Sequence, residues 1–236
     1  MPKTLVITPV KNSIETTLQT IEAIHRANGD HQHVVYNDFS TPETTAILEE
    51  KQAAYGYKLV NLKDLTETPS PNYNLVLQMA QQKALELNIP LIVIESDVII
   101  QPDTLDKMRN LSQIAPNCGM LGAVTTNEEG AINFPYLNFK NEKQPLIDTS
   151  HSLSFCCTLL TPELLRNFSF QELSREKDWY DVFISRKSKT LGYKNYLATM
   201  LPVIHKPHSS RPWKHLKYTN PVKYYFNKFT KRKDRI

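Results

Sequence analysis

The sequence of 236 residues predicts an α/β fold with a mostly parallel central sheet. Two observations carry this: short β-branched apolar runs alternate with helical periodicities, and the segments joining them are long enough for crossover helices. Thr4-Leu5-Val6-Ile7-Thr8-Pro9 is apolar without alternation, as in a strand buried on both faces. Asn12 and Glu15 form a capping-box pattern, and Ile14, Leu18 and Ile21 then mark one helical face. Val34-Val35-Tyr36-Asn37 is the second strand. Thr41-Pro42-Glu43 supplies an N-cap, an N1 proline and an early acid for the second helix. Tyr57–Asn61 makes a third strand, the Pro/Ser/Thr stretch Thr66–Pro71 a surface loop, and Tyr73–Leu87 a third helix. Leu91-Ile92-Val93-Ile94 is the most strand-like run in the chain and ends on Glu95-Ser96-Asp97.

The second half is less regular. Gly119–Val124 and Ser152–Leu160 are expected strands, and 127–150 is expected to be mostly loop. A helix is expected from Asp178 to about Lys189, with Gly192 just beyond its end, followed by extended Tyr193–Thr199 and Pro202–His205.

Composition excludes several classes. With 40% apolar and 22% charged residues, the chain is neither disordered nor collagen-like. No apolar run reaches the ~20 residues of a membrane-spanning helix. The N-terminus shows no secretory pattern, so a cytoplasmic location is expected. Three cysteines, including the adjacent Cys156 and Cys157, form neither a disulfide framework nor a zinc spacing, and that pair is expected in the core. Residues 211–236 hold nine Lys or Arg against Asp234 alone, a local charge of +8 in a chain of net +4, so the other residues sum to −4. An acidic body argues against nucleic-acid binding. Within the tail, Val222, Tyr225, Phe226 and Phe229 recur at helical spacing beside lysines. That pattern fits a basic amphipathic helix on an anionic membrane surface, which would place the protein peripherally on the inner face.

Ligands of open parallel sheets sit beyond the carboxyl ends of the strands. Three such ends are polar here: Thr8-Pro9-Val10-Lys11-Asn12, Asn37-Asp38-Phe39-Ser40-Thr41 and Glu95-Ser96-Asp97. One such turn alone would be read as helix capping; three together point to a site. Carboxylates spaced like Glu95 and Asp97 suit Mg²⁺ or Mn²⁺, which can bridge two phosphates.

On these segments the chain resembles a family 2 glycosyltransferase of the GT-A fold, over roughly residues 3–207. The family's second strand ends Asp-Asp-Gly-Ser-Thr, matched by Asn37–Thr41, and its fourth ends Asp-x-Asp, matched by Glu95-Ser96-Asp97. Lys177-Asp178-Trp179-Tyr180-Asp181, Arg186, Gly192-Tyr193-Lys194 and His205 follow the family's later pattern in order. The resemblance implies a metal-dependent, inverting transfer of sugar from a nucleotide diphosphate sugar, UDP-linked by preference, to a glycan or lipid-linked hydroxyl in surface polysaccharide synthesis. It assigns donor binding to Pro9, Lys11, Asn12, Asp38, Ser96 and Arg211. Glu95, Asp97 and His205 would hold Mn²⁺ or Mg²⁺, and Asp178 or Asp181 would be the general base. Residues 1–210 would form the catalytic domain, with a nucleotide-sugar half (1–100) and an acceptor half (101–210), and 211–236 the tail.

The departures are Asn37 for an acid, Phe39 for glycine, Glu95 for aspartate and Lys177 for glutamate; Asp178 and Asp181 also stand one residue further apart than usual. Asn37, Phe39 and Lys177 leave open a nucleotide-sugar-binding protein without catalysis. A sugar-phosphate nucleotidyltransferase is disfavoured by a first turn, Pro9–Ser13, that lacks glycine.

Overall fold

The computed structural model describes residues 3–174 and 179–206. Asp178, Lys177, Arg211 and the basic tail lie outside the described residues.

The order is β1 (Thr4–Val10), α1 (Ile14–His25), β2 (His31–Asn37), α2 (Pro42–Tyr55), β3 (Lys58–Asn61), α3 (Tyr73–Leu87), β4 (Leu91–Ile94) and β5 (Val98–Ile99). There follow α4 (Thr104–Ile114), β6 (Cys118–Thr126), β7 (Leu146–Asp148), β8 (Cys157–Leu160), α5 (Pro162–Asn167), α6 (Tyr180–Thr190) and β9 (Lys194–His205). The sheet runs β3-β2-β1-β4-β8-β6-β9-β5, with β7 beside β9. The four strands from β3 to β4 are parallel, as is β6 with β9, whereas β8, β5 and β7 pair antiparallel. The α/β architecture with a mixed, mostly parallel sheet is as expected. It aligns the carboxyl ends of β2, β1 and β4 along one edge.

Strand alternation divides the core. Leu5, Ile7, Leu91 and Val93 face one side, with Val76, Leu77, Ala80 and Ala84 of α3, Leu164 of α5 and Ile184 of α6. Val6, Ile92 and Ile94 face the other, with Ile24 of α1 and Leu105 and Met108 of α4. Each such Leu or Ile, fully removed from water, contributes about 1.5–3 kcal/mol.

Pro9 sits in β1 without disrupting the sheet. Pairing of β1 with β4 ends at Ile7 and Val93, so the missing N–H leaves no gap on that side.

The start of α1 corrects one expectation: no capping box forms. Asn12 and Ser13 both adopt left-handed backbone, at φ 59° and 53°, and the Ser13 N-cap makes no side-chain bond. Asn12 is engaged across the edge instead. Its amide N–H donates to Ser40 Oγ at 2.9 Å and its Oδ1 accepts from Thr41 N at 2.9 Å. The α2 signals act as expected, with Thr41 Oγ1 accepting from Thr44 N at 3.3 Å and Pro42 in the first turn. Gly192, at φ 87°, supplies the left-handed residue after α6, and its N–H donates to Lys189 O at 2.9 Å. The two late extended segments are one strand, β9, with a register irregularity where Ala123/Ala198 gives way to Val124/Pro202.

The two departures at the end of β2 have structural causes. Asn37 is 2% exposed. Its amide donates to Thr45 Oγ1 and to Asn61 Oδ1, each at 2.9 Å, while its own Oδ1 accepts from Ser40 N at 3.3 Å. An aspartate cannot make both donations. We expect Asn37→Asp to cost about 1–3 kcal/mol, seen as a melting temperature lower by roughly 2–10 °C. An unchanged midpoint would show that the donations are dispensable. Phe39 stands where the family has glycine and takes the left-handed φ of 55° that explains that glycine. Its ring packs against the core cluster around α3, which offsets the strain of this backbone.

Candidate functional site

The described site has two parts along the edge formed by the ends of β2, β1 and β4.

The first lies around β1 and β2. Lys11 Nζ donates to the Phe39 carbonyl, which ties the two strand ends together alongside the Asn12 bonds. Asp38, 8% exposed, reaches the segment leading into α3. Its Oδ2 accepts from Ser70 Oγ at 2.7 Å and Asn72 N at 2.9 Å, and its Oδ1 accepts from Asn72 Nδ2 at 2.8 Å. The 66–71 stretch is therefore bound to the strand end rather than being only a surface loop. Ser70 and Asn72 were not legible as site residues, because nothing local to them signals a carboxylate thirty-odd residues earlier.

The second part surrounds the end of β4. Ile94 pairs with Cys157 in the β4/β8 register, and Glu95 N donates to Cys156 O at 3.1 Å, so Cys156 stands across from Glu95. Cys156 Sγ lies 3.4 Å from Glu95 Oε2 and 4.0 Å from His205 Nε2. His205 ends β9 opposite Val98, and its Nε2 is 3.6 Å from Asp97 Oδ2. The His205 ring is fixed from behind: Nδ1 donates to the Phe134 carbonyl at 2.8 Å, which leaves Nε2 facing the acids and the sulfur. Lys206 N donates to Asp97 O at 2.8 Å and holds the Asp97 backbone against the end of β9.

All three expected metal residues lie around the ends of β4 and β9, where His205 is grouped with Glu95 and stands 3.6 Å from Asp97. Cys156 joins them while lying in the buried core as expected, and its neighbour Cys157, also in the core, donates to Met108 Sδ at 3.6 Å.

Burial and mutual charge set the electrostatics of this group. Burial, then the Asp97 charge, hold the Glu95 carboxyl above the usual carboxylate range, and Asp181 pushes it the same way. Burial and the charge of Glu95 raise the Cys156 thiol well above its ordinary value. Burial alone would lower His205, but Asp97, the Phe134 carbonyl and Glu95 together raise it. One carboxylate, an imidazole nitrogen and a thiol, from Glu95, His205 and Cys156, have donor atoms all within 4.8 Å of one another and form a donor set that a divalent ion fits, with Asp97 beside the imidazole.

Asp181 lies in the first turn of α6, where its charge is felt at Glu95. Ser96 is 7% exposed between the two acids.

No protein of curated function matches the sequence. Among solved structures, the chain is similar to the mannosyltransferase PcManGT from Pyrobaculum calidifontis in complex with GDP-Man and Mn²⁺. The TM-score is 0.65 at 15% identity, over 97% of this chain and 64% of that one. It is also similar to TarS from S. aureus, residues 1–349, with a TM-score of 0.62 at 19% identity over 86% of this chain and 60% of that one. The same TarS segment in complex with UDP gives 0.62 at 18% identity, over 91% and 63%. The chain thus spans less than two thirds of the length of these structures, and at such identities the likeness is one of fold. The sequence model described as glycosyl transferase family 2 matches residues 5–167, more than two thirds of the chain. This protein belongs to glycosyl transferase family 2.

Proposed function

We propose that this glycosyltransferase transfers a sugar with inversion from a nucleotide diphosphate donor, UDP-linked by preference, to a hydroxyl of a glycan or lipid-linked acceptor. The observation that carries the reading is the grouping of Glu95 and His205 with Cys156 beyond the ends of β4 and β9, with Asp97 3.6 Å from His205. The GDP-Man and Mn²⁺ of the mannosyltransferase and the UDP of TarS support it.

Glu95, Asp97 and His205 would hold the ion, Mn²⁺ or Mg²⁺, which when bound offsets charge on the departing diphosphate. Asp38, Asn12, Lys11 and Pro9 would frame the nucleotide. Their bonds between strand ends and the 70–72 segment fix that frame before the donor arrives, so less ordering is needed on binding. Ser96 and Arg211 are assigned to the donor as well. A carboxylate at the start of α6, Asp178 or Asp181, would take the proton from the acceptor hydroxyl, a role worth ~10²–10⁴ in rate. Asp178 is our choice; the electrostatic reach of Asp181 to Glu95 supports the placement of this helix start by the site. With Asn37 and Phe39 accounted for by folding, two of the three departures that favoured an inactive binder no longer do so.

No helix among the described residues is long and apolar enough to cross a membrane. Peripheral contact through the basic tail stays part of the proposal, and deletion of residues 212–236 should weaken sedimentation with anionic vesicles.

The direct test is thermal unfolding with UDP, with and without Mn²⁺. Binding to the folded chain raises its midpoint by mass action, and the two together should raise it more than either alone. No shift with Mn²⁺ and UDP would refute the reading. The pH dependence has a defined sign. Glu95 and His205 have folded pKa values above their unfolded ones. The stability they lend the metal-free chain is full below the unfolded values and is lost as pH rises through the folded ones. Metal must displace those same protons, so the shift at fixed Mn²⁺ should grow from about pH 6 to about pH 8. A shift independent of pH would place the ion elsewhere.

A further inference from the structure

We propose that Cys156 is itself a metal ligand, a sulfur donor in a cluster otherwise made of oxygen and nitrogen, and that it biases the site toward Mn²⁺, Co²⁺ and Zn²⁺ over Mg²⁺. The inference rests on the reading of this site as a cation site and goes beyond it by assigning a fourth side chain and an order of metals.

The distances carry it. Sulfur and imidazole ligands sit about 2.3 Å and about 2.0–2.1 Å from such an ion, so the two donor atoms are roughly 3.1 Å apart at a right angle and roughly 3.5 Å apart in a tetrahedral arrangement. Cys156 Sγ is 3.4 Å from Glu95 Oε2 and 4.0 Å from His205 Nε2, and Nε2 is 3.6 Å from Asp97 Oδ2. The donor atoms of Glu95, Cys156 and His205 all lie within 4.8 Å of one another, so these three can share one ion, with Asp97 alongside through His205. The His205 tautomer already suits this, because Nδ1–H is committed to the Phe134 carbonyl. Backbone pairing fixes the sulfur: the β4/β8 register and the Glu95 N–H to Cys156 carbonyl bond set the thiol opposite the acid. Cys156 is 2% exposed, so the sulfur serves the pocket rather than the surface.

The chemistry follows from ligand softness. Mg²⁺ prefers an octahedron of oxygens and keeps several waters, and it gains nothing from sulfur. Zn²⁺ and Co²⁺ bind thiolate well, with Mn²⁺ between them and Mg²⁺. As the metal–sulfur bond forms, the thiol proton passes to solvent; nothing is oxidised or reduced.

The test uses the full chain, Co²⁺ alone as probe, and a thiol-free reductant. Wild type should take up one Co²⁺ per chain with visible ligand-field absorption and a near-ultraviolet sulfur-to-cobalt charge-transfer band. Cys156→Ser should lose that band and at least about 100-fold in Zn²⁺ affinity, since even outer-shell changes cost 10–100-fold, while Mg²⁺ affinity should move by less than about three-fold. Cys157→Ala, next in sequence but turned to Met108, should keep the band. If Cys156→Ser fails to fold, the wild-type spectrum still decides. Bound Co²⁺ without a sulfur band overturns this inference alone, as does a band that persists in Cys156→Ser or disappears in Cys157→Ala. No uptake of Co²⁺ or Mn²⁺ by wild type overturns both it and the metal-dependent function.

Discussion

Asp97→Asn is expected to lower kcat/KM for sugar transfer by roughly 10³-fold, with the metal-free protein as stable as wild type to within about 2–4 °C. The loss follows from the position of Oδ2, 3.6 Å from His205 Nε2 and beside Glu95, where the acid supplies charge to any cation in the pocket. Metal stabilisation of a departing diphosphate is worth several kcal/mol, and about 4 kcal/mol is about three orders of magnitude in rate. Stability behaves differently because two consequences of the change offset each other. Removing the Asp97 charge relieves Glu95, whose carboxyl it holds above the usual range. It also deprives His205 of its acid, but an imidazole can shed its proton, and Nδ1 keeps the Phe134 carbonyl. No buried charge is left unpaired, which is the usual source of a large penalty. The measurements are initial rates with a nucleotide sugar and melting curves with and without Mn²⁺. The variant should lose the Mn²⁺-dependent rise while keeping its metal-free midpoint. Wild-type transfer by Asp97→Asn would remove the acid from the mechanism.

The elements that position this site were legible where their cause is local. Leu91–Ile94 shows its burial on both faces by lack of alternation, Thr41-Pro42-Glu43 carries its own cap, and Gly192 marks a helix end through a backbone only glycine adopts freely. Elements with weak local signals were missed. Asp103 precedes α4 without a capping bond, and that helix buries only Thr104, Leu105 and Met108, so its amphipathic face rests on few apolar residues in a polar segment. Thr161-Pro162-Glu163 repeats the α2 signature, but α5 ends after six residues. The Asn12 pattern misled for the opposite reason: a tertiary partner, the Ser40–Thr41 backbone and hydroxyl, took the bonds that an isolated helix would have kept. The site divides the same way. Glu95 and Asp97 follow a recognisable strand, and His205 ends one. Cys156 depends on the antiparallel register between β4 and β8, over sixty residues apart, and no local pattern encodes that pairing.

The same dependence on distant pairing makes Asp38→Ala the variant with the largest expected effect on stability. The carboxylate accepts three hydrogen bonds, from Ser70 Oγ, Asn72 N and Asn72 Nδ2, and so fastens the end of β2 to the start of α3. Asn72 is the residue that precedes α3, yet it makes no side-chain cap there, because its amide is turned to Asp38 and to the Thr68 carbonyl at 3.0 Å. Alanine leaves buried donors without an acceptor, and bonds to a charged group are worth about 1.5–3 kcal/mol each without adding fully. A total of about 2–4 kcal/mol corresponds to a midpoint roughly 5–15 °C lower. Asp38→Asn keeps the volume and one acceptor oxygen, so its loss should be smaller, and it separates anchoring from donor recognition. A carboxylate has about four lone-pair sites, and three are taken here, which leaves one for the nucleotide. UDP affinity measured well below the melting range should therefore fall about ten-fold in Asp38→Asn. Unchanged UDP affinity in that variant would confine Asp38 to holding the 70–72 segment. An alanine variant melting with wild type would show that the segment is held without it.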